Sequence, residues 1–143
     1  MRTTGARVLL CAGPAVLVLG TFLPWLRSGR TDRNSYATDG AVRRLLDVDG
    51  ATAAALHAWP FVSLLCAAAV ALVLLGRVGP GAVLAALAAL VAGPVAGWAL
   101  SAPNRGLLHA ATTGPVVTLA GAILSCVGVL ALASGRIVGR GNS

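Results

Sequence analysis

Four stretches of the chain carry no charged residue and no histidine: Val8 to Leu26, Ala58 to Leu75, Gly81 to Leu100, and Pro115 to Ser134. Each approaches the roughly 17–25 residues that a helix needs to cross about 30 Å of hydrocarbon. Polar and apolar positions do not alternate within them, which argues against the strands of a membrane barrel. Ala and Leu dominate, and both favour helix. The pattern therefore predicts an all-α, polytopic membrane protein, an antiparallel four-helix transmembrane bundle forming a single domain over 1–143. Ala51 to Leu56 is also apolar, so the start of the second span stays open.

The connections differ in kind. Gly76-Arg77-Val78-Gly79-Pro80 is a tight turn that makes an antiparallel hairpin of spans two and three. Ser101 to Gly114 is of moderate length, whereas Arg27 to His57 is far longer than ordinary loops and holds every acidic residue, Asp32, Asp39, Asp47 and Asp49. An even number of spans puts both termini on the side of the short turn and the two longer loops on the other. Within the long loop, Val42, Leu45 and Leu46 share a helical face, Arg43 and Asp47 form an i,i+4 pair, and Gly50 is a stop signal. A short interfacial helix is expected there.

Composition sharpens the class. Apolar residues make up 57% of the chain and charged residues 10%, with a mean hydropathy of +0.87, against roughly 45–50% and 25% in soluble domains. The net charge is +7, and every basic residue is Arg. These arginines lie in short segments between apolar runs, so anionic lipid headgroups are the expected partner and nucleic acid is not. Arg2 and Arg7 flank the first span closely, which favours cytoplasmic termini. No small-x-small cleavage site follows that span, so it is expected to stay attached. Cys11, Cys66 and Cys126 all fall in apolar runs and read as packing residues.

The absence of charge in the spans counts against ion-coupled transport, which places ionisable groups at membrane depth. What the spans do carry is small residues at helical spacing. Ala6, Gly13 and Gly20 mark the first span; Ala85, Ala89, Gly93 and Gly97 the third; Gly114, Gly121, Gly128 and Gly135 the fourth, with Thr118 and Ser125 between them. In lipid, helices associate by close backbone approach across such seams and by Ser/Thr hydrogen bonds. Packing within the bundle is the first reading, and docking of another protein's helix the alternative. Pro115 suits a first helical turn, and Pro94 should kink the third span.

The aromatic residues are one-sided. Phe22, Trp25, Tyr36, Trp59, Phe61 and Trp98 all fall toward the long-loop face, as do His57 and His109. An interfacial belt explains this; a partner- or lipid-engaging face is the sharper reading. Its candidates are Trp25, Arg27, Arg30, Arg33, Tyr36, Arg43, Arg44, Trp59 and Trp98. His57, His109, Asp47 and Asp49 have metal-ligating chemistry, but they match no metal spacing, and no metal or cofactor is assigned.

The segment Thr21-Phe22-Leu23-Pro24-Trp25-Leu26-Arg27-Ser28-Gly29, followed by Arg33-Asn34-Ser35-Tyr36, resembles a pattern in small four-span membrane proteins of actinomycete-type bacteria. The resemblance implies a bacterial plasma membrane and brings no activity. No catalytic constellation is present. The expectation is a non-enzymatic accessory or scaffolding subunit, working through its helix seams and long outer loop. The alternatives are a lipid- or small-molecule-handling protein with a cavity opened by Pro94, and, third, a membrane enzyme using the histidines and loop aspartates.

Overall fold

The computed structural model describes residues 2–28, 31–34, 51–101 and 108–140. Its helices are α1 (Arg2–Phe22), α2 (Ala51–Leu74), α3 (Val78–Ser101) and α4 (Thr113–Arg140). Three short strands accompany them: β1 (Pro24–Ser28), β2 (Thr31–Asn34) and β3 (Leu108–Ala110). The apolar stretches Thr4–Phe22, Val78–Ser101 and Thr113–Gly135 are long enough to cross a membrane, and α2 adds the shorter apolar stretch Trp59–Leu74.

The packing is inverted relative to a protein that folds in water. Among the described residues the buried hydrophobic positions are mostly alanines, including Ala69, Ala85, Ala88, Ala92 and Ala96, while many large side chains point outward: Leu75 is 77% exposed, Trp98 74% and Leu90 72%. Water would punish so much large apolar surface, whereas lipid solvates it and leaves close backbone contact to hold the helices together. This arrangement supports membrane insertion independently of helix length.

Each helix packs on the next around a ring, α1 on α2, α2 on α3, α3 on α4 and α4 on α1, the last pair being the most extensive. The α1–α4 seam explains why. Gly13 lies against Ser125, Leu17 against Gly121, Gly20 against Thr118, and Leu10 against Gly128. Each step forward on α1 is matched by an equal step back on α4, so two seven-residue glycine series interdigitate antiparallel. A Cβ on Gly13 would sit 2.6 Å from the Ser125 amide nitrogen, and one on Gly121 2.6 Å from the Leu17 Cα. The glycines here permit backbone contact that no larger residue allows. Gly93 has only an ordinary 3.6 Å approach to Ala122, and Gly97 has nothing within 4 Å, so those two seam positions on α3 are not used in the same way.

Hydroxyls do less than expected across this seam. Ser125 Oγ donates back to the Gly121 carbonyl of its own helix at 2.9 Å, and Thr21 Oγ1 likewise donates to the Val18 carbonyl at 2.7 Å. Such back-bonding satisfies the hydroxyl where water is absent.

Several boundaries differ from the sequence expectation for physical reasons. The first span was expected to reach Leu26, but α1 ends at Phe22, because Pro24 lacks an amide hydrogen and disfavours helix at Leu23. The helix α2 begins at Ala51, ahead of the span start expected at Ala58, while its apolar stretch runs over Trp59–Leu74. α3 starts at Val78 and takes Pro80 into its first turn, where amides have no intrahelical partner to lose. The α2–α3 turn closes with a left-handed Gly76 at φ +81°. Gly76 N–H donates to the Val73 carbonyl at 3.1 Å and Arg77 N–H to the Leu72 carbonyl at 2.8 Å, the paired bonds of a Schellman stop. The interfacial helix expected at 41–50 lies outside the described residues.

Candidate functional site

At the long-loop end, where the sequence reading expected no strand, the chain forms a small sheet. Its order is β2-β1-β3, with both neighbours antiparallel to β1. β1 and β2 form a hairpin that opens the long loop, and β3 arrives from the α3–α4 connection, so the described parts of the two longer connections meet in one sheet. Arg27 occupies the central register position, paired with Asp32 on one side and His109 on the other. Leu26 pairs with Arg33 and with Ala110.

Trp25 joins this sheet to the helices. Pro24 deletes the amide that would have bonded the Gly20 carbonyl had α1 continued, and the Trp25 indole N–H supplies a donor to that same carbonyl at 2.9 Å. The ring lies over the first turn of α4, where a Cβ on Gly114 would collide with it and come within 2.8 Å of the Pro24 carbonyl oxygen. Trp25 also meets Trp59 edge to face, with ring centroids 5.4 Å apart at 76°, a geometry worth about 0.5–1.5 kcal/mol beyond burial. The Ala111 amide donates to the Trp25 carbonyl at 3.1 Å, extending the β1–β3 ladder to the start of α4.

This geometry corrects two candidates. Trp25 and Trp59 were expected to face lipid or a partner, but they are 7% and 6% exposed and belong to the core with Leu17, Val62 and Ala96. Pro24 turns the chain back over the bundle, which carries the indole inward. Trp98 is instead fully available at 74%, and Phe22 and Phe61 at 58% and 62% complete an exposed aromatic ring at this end. Such a ring matches the placement of aromatics at a membrane interface.

The remaining candidates divide as follows. Gly13, Gly20, Gly121 and Gly128 are committed to the α1–α4 seam and Gly114 to Trp25, while Gly93 and Gly97 stay loosely packed on α3. Arg27, Arg33 and His109 have the strand positions given above. Arg30, Tyr36, Arg43, Arg44, Asp47 and Asp49 lie outside the described residues, and His57 is placed only as part of the α2 backbone. Among the described residues no three His, Cys, Asp or Glu gather as metal ligands. The sheet is the feature that sequence reading missed; Pro24 and the turn residues Ser28-Gly29 were the local signals for it.

Comparison of the chain with protein-family models, curated proteins and solved structures finds no match.

Proposed function

We propose that the chain is a non-enzymatic integral membrane protein of a bacterial plasma membrane, with four spans and cytoplasmic termini. In this reading it is an accessory or scaffolding subunit that engages a membrane partner, or a second copy of itself, through its outer end. The observation that carries the proposal is the clamping of β1 by Trp25. The base of the long loop is anchored to the bundle through the indole bond to Gly20, so the arginine-rich segment beyond it leaves from a fixed platform instead of a free tether.

Gly13 and Gly20 of α1 and Gly114, Gly121 and Gly128 of α4 are occupied within the chain, so helix docking by a partner falls to α3, where Gly97 is open beside the exposed Trp98. Anionic headgroups would meet the loop arginines. A second reading, lipid or small-molecule handling, is favoured by an apolar groove of about 600 Å³ between α3 and α4 that includes Pro94.

The test is purification from native membranes in mild detergent. A stoichiometric membrane partner, or a dimer, is expected for the wild type, with loss of that species in Arg27→Ala/Arg33→Ala. A monomer with nothing bound in stoichiometric amount would overturn the subunit reading.

A further inference from the structure

At the end of the bundle away from the sheet, the first turns of α1, the α2–α3 turn and the last turns of α4 enclose a depression of about 540 Å³ lined by Arg7, Arg77, Val78, Gly79 and Leu132 among others. Arg7 and Arg77 are both exposed. Arg77 immediately precedes α3, its carbonyl accepting from the Gly81 amide at 3.1 Å. The amides of Val78 and Gly79 stand in the first turn of a 24-residue helix, with no earlier turn to bond and the positive end of the helix dipole behind them. Every acidic residue of the protein lies between Asp32 and Asp49 in the sequence, and none is among the described residues that line the depression.

A second observation makes the depression more than a basic patch. The α3–α4 groove shares Gly79 and Leu132 with it and continues past Val83 and Ala86 to Pro94 and Cys126. At 1.5 Å per residue, Gly79 to Pro94 is roughly 22 Å of helix, enough to line one leaflet of a hydrocarbon core about 30 Å thick. A doubly cationic mouth opening into an apolar channel of leaflet length has the chemistry of one ligand class. We propose that the protein holds a single anionic phospholipid, its phosphate between Arg7 and Arg77 over the start of α3 and an acyl chain along the α3–α4 groove. The proposal rests on the lipid-facing reading of that groove and is independent of any protein partner.

Native mass spectrometry of the full chain with added phosphatidylglycerol or phosphatidylcholine tests it. Phosphatidylglycerol should be retained preferentially. Arg7→Gln/Arg77→Gln should weaken its binding roughly tenfold or more, as expected for loss of charge-assisted phosphate bonds, with Arg7→Lys/Arg77→Lys keeping part of it. Ala86→Phe, or Val83→Trp at a position already 59% exposed, should weaken both lipids by filling the groove; circular dichroism confirms that each variant is folded. Excess inorganic phosphate should not displace the lipid. Equal retention of the two lipids, or wild-type binding by the double Gln variant, overturns the headgroup site even if the groove binds acyl chains. Displacement by inorganic phosphate together with indifference to the groove variants would identify a free-phosphate site and overturn the lipid assignment.

Discussion

The Cα of Gly20 faces Thr118, and a Cβ on Gly20 would collide with both the Thr118 Oγ1 and the Thr118 amide nitrogen. That hydroxyl is fully buried and has no hydrogen-bond partner among the described residues. The hydrogen that Gly20 carries in place of a Cβ is therefore what lets the two helices meet beside this oxygen.

If packing, not the hydroxyl, is what Thr118 contributes, Thr118→Val should fold normally and be as stable as the wild type or slightly more so. The shape is kept and an unbonded polar group is removed. Thermal unfolding in detergent checks this, and a loss of more than about 1 kcal/mol would mean that the oxygen makes a full bond across the seam.

The seam itself should be intolerant of bulk in a position-specific way. Gly121→Leu drives a side chain into the Leu17 backbone, and overpacking of this sort costs roughly 1–3 kcal/mol or more. Gly97→Leu has open space around it and should leave stability unchanged. Equal effects in a denaturant titration would show that α1 and α4 do not meet as described.

Trp25 gives a graded prediction. Trp25→Phe keeps most of the ring and loses the bond to Gly20, a cost of about 1 kcal/mol, and should loosen β1 while leaving the helices protected. Trp25→Ala also opens a void against Trp59 and Gly114, at about 3–5 kcal/mol. Hydrogen exchange resolves the two, since the sheet amides should respond to the first substitution and the α1–α4 amides only to the second.

Orientation is decided by labelling in a background where Cys11, Cys66 and Cys126 are replaced by Ala. With cytoplasmic termini, a membrane-impermeant maleimide should reach Ser28→Cys in intact cells and Ser143→Cys only after permeabilisation. The reverse pattern would place the sheet and the long loop in the cytoplasm.

Much of the architecture is local and therefore legible in the sequence. A helix in lipid satisfies its own backbone, so an uncharged apolar run is enough to announce α3 or α4. The seven-residue glycine spacing in α4 likewise announces a flat strip for close approach. That spacing does not say which helix lies on the strip, because any small-residue face with the same period would fit. Pairing Gly13 with Ser125 and Gly20 with Thr118 depends on the axial offset of two helices nearly a hundred residues apart in the chain.

The sheet end of the bundle was less legible for a related reason. β3 has three residues and β1 five, too short for a periodic signal, and they pair only after α1, α3 and α4 have brought both loops to the same end. Trp25 and Trp98 have the same residue type at the same kind of span end, yet one is buried and the other exposed. The difference lies in Pro24, which ends α1 and lets the chain fold back. The sequence by itself determined that this protein is helical and made for lipid, because hydropathy and charge act residue by residue. Only the tertiary structure decided which glycines meet the facing helix, which tryptophan is inside and that Arg7 and Arg77 line one depression, because each is a relation between segments that become neighbours only when the helices pack.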